Sequence, residues 1–409
     1  MAITGMVLSF LSLILTPSNE PLPMKRPFLS LFMLLLGSLA MAGNQADSLE
    51  NVLKTAKGDL KVKTLNELFR AYLNADPVKA TGYTREALSL ATQIDDRKGM
   101  AASYNNLGIA YRNQGALDKA LEYYLQSLRI YETLENKEGT ATSKNNIGNI
   151  YTLKKDYGQA MKYFEESHKT FNELGDQQKI IGSMNNLGNL HSDLQLYEQA
   201  LRYYTEAWQL STKSGKMFSD PLNNIGNLYF RQGNYQRAIE YYGRALEIAR
   251  QENNNLTILT ITANLGEVYA KAGQGTKAQA YLDSALLLSK SLQATLFEPQ
   301  IYKSLSANYA RQGKMKDAYE WMMQYDAIRE KVYGEESSRK IAQMEMALNI
   351  QEKEKEMEAL KKEDKIKTLE LHNTRMIITI ILLATIVVVS MFNLLFTKRR
   401  NSKNTDAAF

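Results

Sequence analysis

The sequence of 409 residues contains no cysteine and only three histidines, His168, His191 and His372. Without cysteine, the chain cannot form disulfides, thiol nucleophiles, iron–sulfur clusters or thiolate zinc sites. With so few histidines, a metal centre or a histidine-based catalytic triad has little material to draw on. We therefore predict that the protein is not an enzyme and that it binds no metal and no cofactor.

Proline is also scarce, and its distribution divides the chain. Four of the seven prolines lie before Phe28, and only Pro77, Pro221 and Pro299 lie beyond it. Because proline interrupts helices, the long proline-poor stretch predicts helix after helix. The formal net charge is +6, but four positive charges lie between Lys398 and Lys403, so the rest of the chain is nearly balanced. This balance does not indicate a nucleic-acid-binding surface.

One long uncharged run lies near the C-terminus, from Met376 to Phe396. As a helix, this run would be about 31 Å long, the thickness of the hydrocarbon core of a bilayer. Arg375 and the basic cluster Lys398–Arg400 bracket the run. We therefore predict one transmembrane helix over 376–396. The basic residues after it predict a short cytoplasmic tail at 397–409, with the preceding chain on the other side of the membrane.

The N-terminal segment 1–42 has the features of an export signal. Two basic residues follow Met24, an apolar run covers Phe28–Leu36, and the sequence Ala40-Met41-Ala42 forms an A-x-A cleavage site. We predict that translation starts at Met24, within an N-terminal leader spanning 1–42, and that the mature chain begins near Gly43. In a bacterium with two membranes, the exported part would lie in the periplasm.

The middle of the chain repeats itself. A Leu or Ile followed by Gly or Ser occurs six times at one constant step, except that the fourth occurrence comes two positions early. An aromatic residue follows each Gly or Ser by three positions, an alanine comes nine positions later, and a bulky side chain four after that. The six opening residues are Leu107, Ile147, Leu187, Ile225, Leu265 and Leu305. The six bulky residues are Tyr124, Phe164, Tyr204, Tyr242, Leu282 and Met322.

Spacings of three and four positions predict two amphipathic helices in each unit. The small residues would let the two helices approach closely, and the bulky side chain would fill the space around them. Neither helix can bury its apolar face alone, so the units must stack into a solenoid. A less regular unit around Leu68 and Phe69 precedes the six and would cap the array. The turns between the paired helices contain glycine in four units, at Gly115, Gly233, Gly273 and Gly313.

This pattern of Leu-Gly, aromatic residue, alanine and bulky residue resembles the tetratricopeptide repeat over about residues 61–333, with an N-terminal extension at 43–60. The usual period of that repeat is about 34 residues. Each unit here is longer, which is similar to the repeats of kinesin light chain. The resemblance implies an all-α fold, a right-handed superhelical solenoid of helix-turn-helix repeats. It also implies a protein or peptide partner in the concave groove, and no catalytic activity.

Asparagine occupies two recurring positions in the first helix of the repeats, two positions before and two positions after the Leu or Ile. Asparagine is a poor helix former, costing up to about 0.7 kcal/mol relative to alanine at an interior site. One hypothesis is that these carboxamides bind the backbone of an extended peptide, and the other is that they bond neighbouring repeats or are solvated. The seven candidate groove residues are Asn105, Asn145, Asn149, Asn185, Asn189, Asn223 and Asn227.

A further asparagine stands directly before the Leu or Ile in five repeats. That position faces the adjacent repeat, so we expect these residues to be structural. They are Asn106, Asn146, Asn186, Asn224 and Asn264.

The composition changes between the array and the span, over residues 334–375. The segment 351–370 contains thirteen charges, and apolar residues before and within it form an interrupted heptad pattern. This segment favours either a solvated single helix or a coiled-coil stalk through which the chain would form a homodimer.

Together, the repeats, charged helix, span and basic flank resemble the sensor portion of bacterial membrane-bound transcriptional regulators and histidine kinases. The match departs from that pattern because only thirteen residues follow the span. The resemblance implies a single-pass inner-membrane adaptor or receptor whose repeats lie in the periplasm and which signals through a partner. Two alternatives stay open, an envelope assembly scaffold without signalling and a truncated sensor.

Overall fold

A computed structural model describes the backbone of residues 46–333 and 335–406, and the side chains of 46–330 and 357–395. The predicted export signal and its cleavage site lie outside these residues. Every regular element in the described part of the chain is helical, and no strand occurs there. The all-α solenoid predicted from the sequence is confirmed.

A short helix, α1, covers residues 46–55 and precedes a series of paired helices. The first helices of the successive pairs are α2 (Gly58–Tyr72), α4 (Arg97–Asn113), α6 (Lys137–Leu153), α8 (Gln177–Asp193), α10 (Asp220–Arg231), α12 (Asn255–Lys271) and α14 (Glu298–Arg311). The second helices are α3 (Pro77–Gln93), α5 (Leu117–Thr133), α7 (Tyr157–Leu174), α9 (Tyr197–Lys213), α11 (Tyr235–Gln251), α13 (Gly275–Ser291) and α15 (Met315–Tyr333). A short 3-10 helix, Thr295–Phe297, precedes α14, and α16 covers Glu335–Asp406.

Side-chain caps and turn residues set the ends of these helices. Asp96, for example, accepts a hydrogen bond from the backbone N–H of Gly99 at 2.8 Å, which satisfies one of the free amides at the start of α4. Between α4 and α5, Gly115 has a φ of 76°, a conformation that glycine adopts without steric cost. Lys155 and Gln195 adopt a left-handed conformation at the corresponding turns of two other units.

In five of the seven pairs, a glycine on the first helix lies against a large side chain on the second. The first and last pairs have Phe69 and Ser306 at this position. A Cβ atom added at Gly188 would lie 2.4 Å from the ring of Tyr204, and one at Gly148 would lie 2.7 Å from the ring of Phe164. Both large side chains are at most 2% exposed. The close approach predicted from the repeat pattern is therefore confirmed, and it admits no side chain larger than hydrogen at these glycines.

The first helices form the inner layer of the array. In addition to its partner and the preceding second helix, each first helix contacts the first helix of a neighbouring repeat, as α4 does with α2 and α14 does with α12. The second helices make no comparable contact with one another within the described residues. Because the first helices lie closer together, they line the concave wall.

The array curves far enough to meet its own beginning. The Thr295 hydroxyl lies 3.3 Å from the backbone oxygens of both Asn74 and Ala75, in the turn between α2 and α3. The backbone N–H of Leu296 donates to the same Asn74 oxygen at 3.5 Å. Two loops 220 residues apart in sequence are thus joined by hydrogen bonds.

The N-terminal helix α1 is attached to the first repeat through Glu50. Its carboxylate accepts hydrogen bonds from Tyr72 Oη at 2.7 Å, from Lys79 Nζ at 2.8 Å and from Tyr83 Oη at 3.0 Å. The bond from Lys79, followed by those from the two tyrosines, lowers the pKa of Glu50 to about 2. This carboxylate with its three donors, rather than apolar burial alone, fixes α1 against the cap.

The chain divides into two compact units, one ending at Ile341 and the other beginning at Ala342. The second consists of the remainder of α16, a helix of 72 residues that extends for about 108 Å. In the described residues, the segment Met357–Leu395 is the one helical stretch long and apolar enough to cross a membrane, and its most apolar window has a mean hydropathy of 2.6. All its side chains are exposed.

The glycine contact predicts the effect of a single added methyl group. We expect Gly188→Ala to lower the free energy of unfolding by about 1–3 kcal/mol, because its Cβ would overlap the Tyr204 ring. Gly182→Ala on the same helix is the matched control, since nothing lies within 4 Å of its Cβ position. Urea denaturation of the full chain in detergent, followed by circular dichroism, measures both variants. Equal stability of the two would contradict the proposed packing.

The attachment of α1 should weaken in acid. The pKa of Glu50 is lowered on folding from 4.5 to about 2, so its contribution is present above pH 4.5 and is lost as the pH falls towards 2. Because its side chain is about one-third exposed, we expect a contribution of only about 0.5–1 kcal/mol. The protection factors of the backbone amides of residues 46–55, which compare the measured exchange rate with the intrinsic rate at the same pH, should therefore fall over this pH range. Glu50→Gln should have lower protection factors already at neutral pH and show no such acid transition.

Candidate functional site

The seven predicted groove asparagines lie on four consecutive first helices, which form the inner layer. α4 carries Asn105 and α6 carries Asn145 and Asn149. The others are Asn185 and Asn189 on α8, and Asn223 and Asn227 on α10. The fold therefore gathers all seven on the first-helix layer, as the repeat register predicts.

The asparagines two positions before the Leu or Ile form hydrogen bonds between repeats. Asn146 Nδ2 donates to Asn105 Oδ1 at 2.7 Å, and Asn186 Nδ2 donates to Asn145 Oδ1 at 2.8 Å. The same bond, at 3.0 Å, joins Asn264 to Asn223. These bonds are the rungs of a ladder along the array, and they confirm the structural role expected for the donors.

In each accepting carboxamide of the ladder, the oxygen is hydrogen-bonded and, among the described residues, the amide nitrogen is not. The oxygens of Asn105, Asn145 and Asn223 are occupied by the next repeat. Their Nδ2 groups make no hydrogen bond to any residue that the structure describes. These three side chains therefore present donors, and not both donor and acceptor, to a ligand.

The first rung involves a residue that sequence reasoning missed. Asn66, on α2, is buried and accepts from Asn106 Nδ2 at 2.8 Å. Thr84 and Ser103 also donate to its Oδ1, at 3.1 and 3.2 Å. Its position two before Leu68 was the signal that could have identified it. The less regular repeat obscured the match.

The ladder is interrupted where the repeat step is two positions short, between Leu187 and Ile225. The Oδ1 atom of Asn185 is buried and has no hydrogen-bond partner among the described residues. By register, Asn224 would be its donor. At this junction α10 has only 12 residues, whereas the first helices on either side have 17. A loop, 214–219, replaces its first turn.

The shortened helix also leaves a cavity of about 510 Å³ on the loop side. Lys216, Ser219, Asp220 and Glu252 are among its lining residues. Ser219 donates to Glu252 at 2.6 Å. Burial, and then the nearby Glu252 carboxylate, raise the pKa of Asp220. None of the seven predicted asparagines lines this cavity.

The asparagines two positions after the Leu or Ile differ in their hydrogen bonding, because the bulky residue of the same repeat is a tyrosine in some repeats and a phenylalanine in another. Tyr204 Oη donates to Asn189 Oδ1 at 2.7 Å, and Tyr242 Oη donates to Asn227 Oδ1 at 2.6 Å. In the repeat of Asn149 the bulky residue is Phe164, which has no hydroxyl. Asn149 is half-buried and makes no hydrogen bond within the described part of the chain, so its whole carboxamide is available.

Tyr124 is the opposite case, a tyrosine at the bulky position whose repeat has no asparagine to accept its hydroxyl hydrogen. The residue that corresponds to Asn189 in its repeat is Ile109, which cannot accept a hydrogen bond. The Tyr124 hydroxyl is buried without a partner among the described residues. Burial, partly offset by Arg112, raises the pKa of Tyr124 to about 12.

The two histidines of the array take part in packing contacts. His168 Nδ1 and Nε2 lie 2.8 Å from Ser183 Oγ and Asn172 Nδ2, respectively. The ring of His191 packs against that of Tyr203, with centroids 5.1 Å apart. Among the described residues, no group of three or more His, Asp or Glu side chains is arranged to hold a metal ion.

Comparisons with known proteins identify the repeat. The sequence profile of the tetratricopeptide repeat matches residues 72–133, 139–213 and 219–291. No curated protein has a sequence that matches the chain significantly.

Several solved structures are similar to this chain at low sequence identity. A Rap protein complexed with competence and sporulation factor is 14% identical, with a TM-score of 0.56 over 77% of this chain and 89% of the other. The Rap conjugation gene regulator of plasmid pLS20, complexed with the Phr* peptide, is 17% identical, with a TM-score of 0.50 over 67% of this chain and 74% of the other. BtubC from P. vanneervenii is 25% identical, with a TM-score of 0.41 over 54% of this chain and 92% of the other.

The pairing of Asn189 with Tyr204 predicts a measurable coupling. Asn189→Ala would leave the Tyr204 hydroxyl without its acceptor, so we expect the free energy of unfolding to fall by about 1–3 kcal/mol. Adding Tyr204→Phe to that variant should recover most of the loss. In the repeat of Asn149 the bulky residue is Phe164, which has no hydroxyl to lose its acceptor. Asn149→Ala should therefore change the free energy of unfolding by less than about 0.5 kcal/mol. Denaturation of the wild type, Asn189→Ala, Tyr204→Phe and the double variant measures the cycle, and additive effects of the two substitutions would disprove the coupling.

Proposed function

Because the chain belongs to the tetratricopeptide-repeat family, we propose that it is a membrane-anchored adaptor or receptor that binds a protein or peptide segment along its concave wall. The observation that carries this proposal is the row of unused carboxamide groups on successive first helices. Asn149 offers both a donor and an acceptor, and the Nδ2 groups of Asn105 and Asn145 offer donors.

The chemistry of this row suits an extended backbone. A peptide in an extended conformation presents carbonyl oxygens and N–H groups at regular intervals along its length, and neutral carboxamides can bond both without selecting a particular side chain. The fold supports the same use, since the two Rap structures above, with TM-scores of at least 0.50, are complexes with competence and sporulation factor and with the Phr* peptide.

The proposed binding segment is the stretch from α4 to α10. Beyond α10, the position two residues after the Leu or Ile holds Glu267 and Ala307 instead of asparagine. Gln300 lies 3.4 Å from the Glu267 carboxylate. The wall therefore changes from neutral donors to an acidic side chain at α12, which marks the end of the segment.

We place the array in the periplasm and the C-terminus in the cytoplasm, with α16 crossing the inner membrane over Met376–Phe396. The length and composition of that part of α16 support the span, and the basic residues 398–400 support the orientation. The part of α16 before the span would extend for about 61 Å as a stalk. A change in the array caused by ligand binding would be transmitted along this stalk to a signalling partner.

A single experiment tests binding and topology together, because the chain has no cysteine of its own. Asn149→Cys, Glu173→Cys and Ser402→Cys each provide one thiol, on the inner wall, on the exposed outer surface of α7 and in the tail, respectively. Cells with a permeabilised outer membrane are treated with a membrane-impermeant, photoactivatable maleimide and then irradiated. We expect labelling at 149 and 173 but not at 402, and a discrete protein adduct from 149 alone.

The two readouts fail separately. Labelling at 402 without labelling at 149 would overturn the orientation. Labelling at 149 with no adduct, or with the same adducts as at 173, would overturn the binding role of the wall. Once a partner is identified, Asn149→Ala should weaken its affinity about twofold to tenfold, as expected for one or two hydrogen bonds.

A further inference from the structure

The cap of the array contains a carboxylate held by a three-residue cluster. Tyr72 and Tyr83 have ring centroids 5.8 Å apart, and Lys79 Nζ lies 3.9 Å above the centre of the Tyr72 ring. All three side chains donate to the carboxylate of Glu50. We call this set the capping cluster. It shows that a pair of adjacent tyrosines with a lysine beside it binds one carboxylate.

The same three residue types recur in the sixth hairpin of the array, formed by α12 and α13. Tyr269 and Tyr281 stack with ring centroids 5.3 Å apart, and Lys277 Nζ lies 5.5 Å from the centre of the Tyr269 ring. We call this set the inner cluster. As in the capping cluster, the lysine lies in the first turn of the second helix, where the helix dipole also favours an anion.

The donors of the inner cluster are not used by the protein. Lys277 is exposed and has no ion-pair partner in the described part of the chain. The hydroxyl groups of Tyr269 and Tyr281 have no hydrogen-bond partner there either. Both rings are half-buried against the α10–α12 core, so their positions are fixed before any ligand arrives.

One residue on the second helix of the preceding repeat lies opposite the first tyrosine of such a cluster. A residue on the second helix of one repeat faces the tyrosine found 26 positions later, as Arg85 does when it donates to the Tyr111 hydroxyl at 2.7 Å. Asp283 occupies the same register opposite Tyr309, and its carboxylate adds to the effect of burial in raising the pKa of that tyrosine.

Opposite Tyr269 this position is Gly243, and nothing lies within 4 Å of where its Cβ would be. Glycine inside a helix costs about 1 kcal/mol relative to alanine. At Gly188 that cost is explained by contact with a tyrosine ring, but no such contact exists at Gly243. No side chain of the preceding repeat therefore occupies the position opposite Tyr269, beside which Tyr281 and Lys277 lie.

We propose that the inner cluster of Tyr269, Lys277 and Tyr281 is a binding site for a carboxylate of an acidic protein segment, reached through the space that Gly243 leaves. The site would bind an Asp or Glu side chain or a terminal carboxylate, in the manner of Glu50 in the capping cluster. It uses none of the asparagines of the concave wall, so it adds a separate charge-selective contact to the proposed adaptor.

The first test uses Gly243→Asp, which would supply a carboxylate from within the chain, with Gly243→Asn as its uncharged control. The full chain in phosphatidylcholine nanodiscs is titrated with hexaglutamate whose C-terminus is amidated and with hexaglutamine whose C-terminus is free, each labelled at its N-terminus with an uncharged fluorophore. We expect saturable binding that Lys277→Met and Gly243→Asp each weaken about threefold to fivefold, the range for a partly exposed ion pair. Gly243→Asn and Arg237→Met, in the preceding hairpin, should leave it unchanged.

The two peptides separate the two sources of carboxylate, and a response to either supports the site. Absence of binding by both peptides, or binding that Lys277→Met and Gly243→Asp do not change, would overturn the proposal. Equal weakening by Gly243→Asn would also overturn it, because the effect would then come from volume and not from charge. None of these outcomes bears on the crosslinking from position 149.

A second test needs no ligand. At pH 7, Gly243→Asp should melt at a higher temperature than Gly243→Asn, and the difference should disappear when both also carry Lys277→Met. Thermal denaturation followed by circular dichroism measures the four proteins. A difference that persists without Lys277 would show that the inner cluster does not bind the introduced carboxylate, and would overturn the proposal.

Discussion

The array depends on the contact between a glycine of the first helix and a large side chain of its partner, which five of the seven pairs make. This contact sets the distance between the paired helices, and the apolar faces that remain can be buried only against the next pair. Tyr204, for instance, packs on Gly188 within its own hairpin and also belongs to a core shared with Leu222 and Ile225 of the following repeat. Stability is therefore distributed along the chain, and local changes in repeat length are felt at the neighbouring interface.

The asparagines show how one residue type can serve two purposes in such an array. The residue directly before the Leu or Ile faces the neighbouring repeat and donates to it, as Asn146 and Asn186 do. The accepting residue keeps its amide nitrogen for another partner. The cost of placing asparagine in a helix is thus offset partly by hydrogen bonds between repeats. The proposed recognition uses the groups that these bonds leave unpaired, namely the Nδ2 donors of Asn105 and Asn145 and the whole carboxamide of Asn149.

The irregularities in the array are as informative as the regular positions. The short α10 interrupts the ladder at Asn185 and opens a cavity beside Glu252. Phe164 leaves Asn149 without a tyrosine partner, and Gly243 leaves the tyrosines of the next repeat uncovered. Two of these departures carry proposed contacts, at Asn149 and at the tyrosines opposite Gly243, in addition to the regular ladder positions Asn105 and Asn145.

The curvature of the array adds a constraint of its own. The hydrogen bonds from Thr295 to Asn74 and Ala75 join two turns that the repeat pattern treats as unrelated. An array tied in this way cannot open freely at one end. A segment bound along the concave wall would therefore lie within a partly closed ring.

Much of this fold could be predicted from residue spacing. The constant step between repeats determined that the chain forms paired helices that must stack, because apolar faces repeated in this way have no other means of burial. The glycines of the turns and the close approach at Gly148 and Gly188 followed from the same spacing. A repeat register is local, so every regular unit reports it independently, and one degenerate unit hides only its own residues, as it did Asn66.

Only the tertiary structure determined which polar groups form hydrogen bonds within the protein and which are left without a partner. Asn149 and Asn189 occupy the same repeat position in the sequence, yet Asn149 has no partner in the described residues and Asn189 accepts from a tyrosine. Asn105, at the other asparagine position, accepts from the next repeat. The contact of Thr295 with Asn74 and the attachment of Glu50 were likewise not predictable. Hydrogen bonds depend on small differences in distance between side chains remote in sequence, and these distances arise only when the helices are packed and the array has curved.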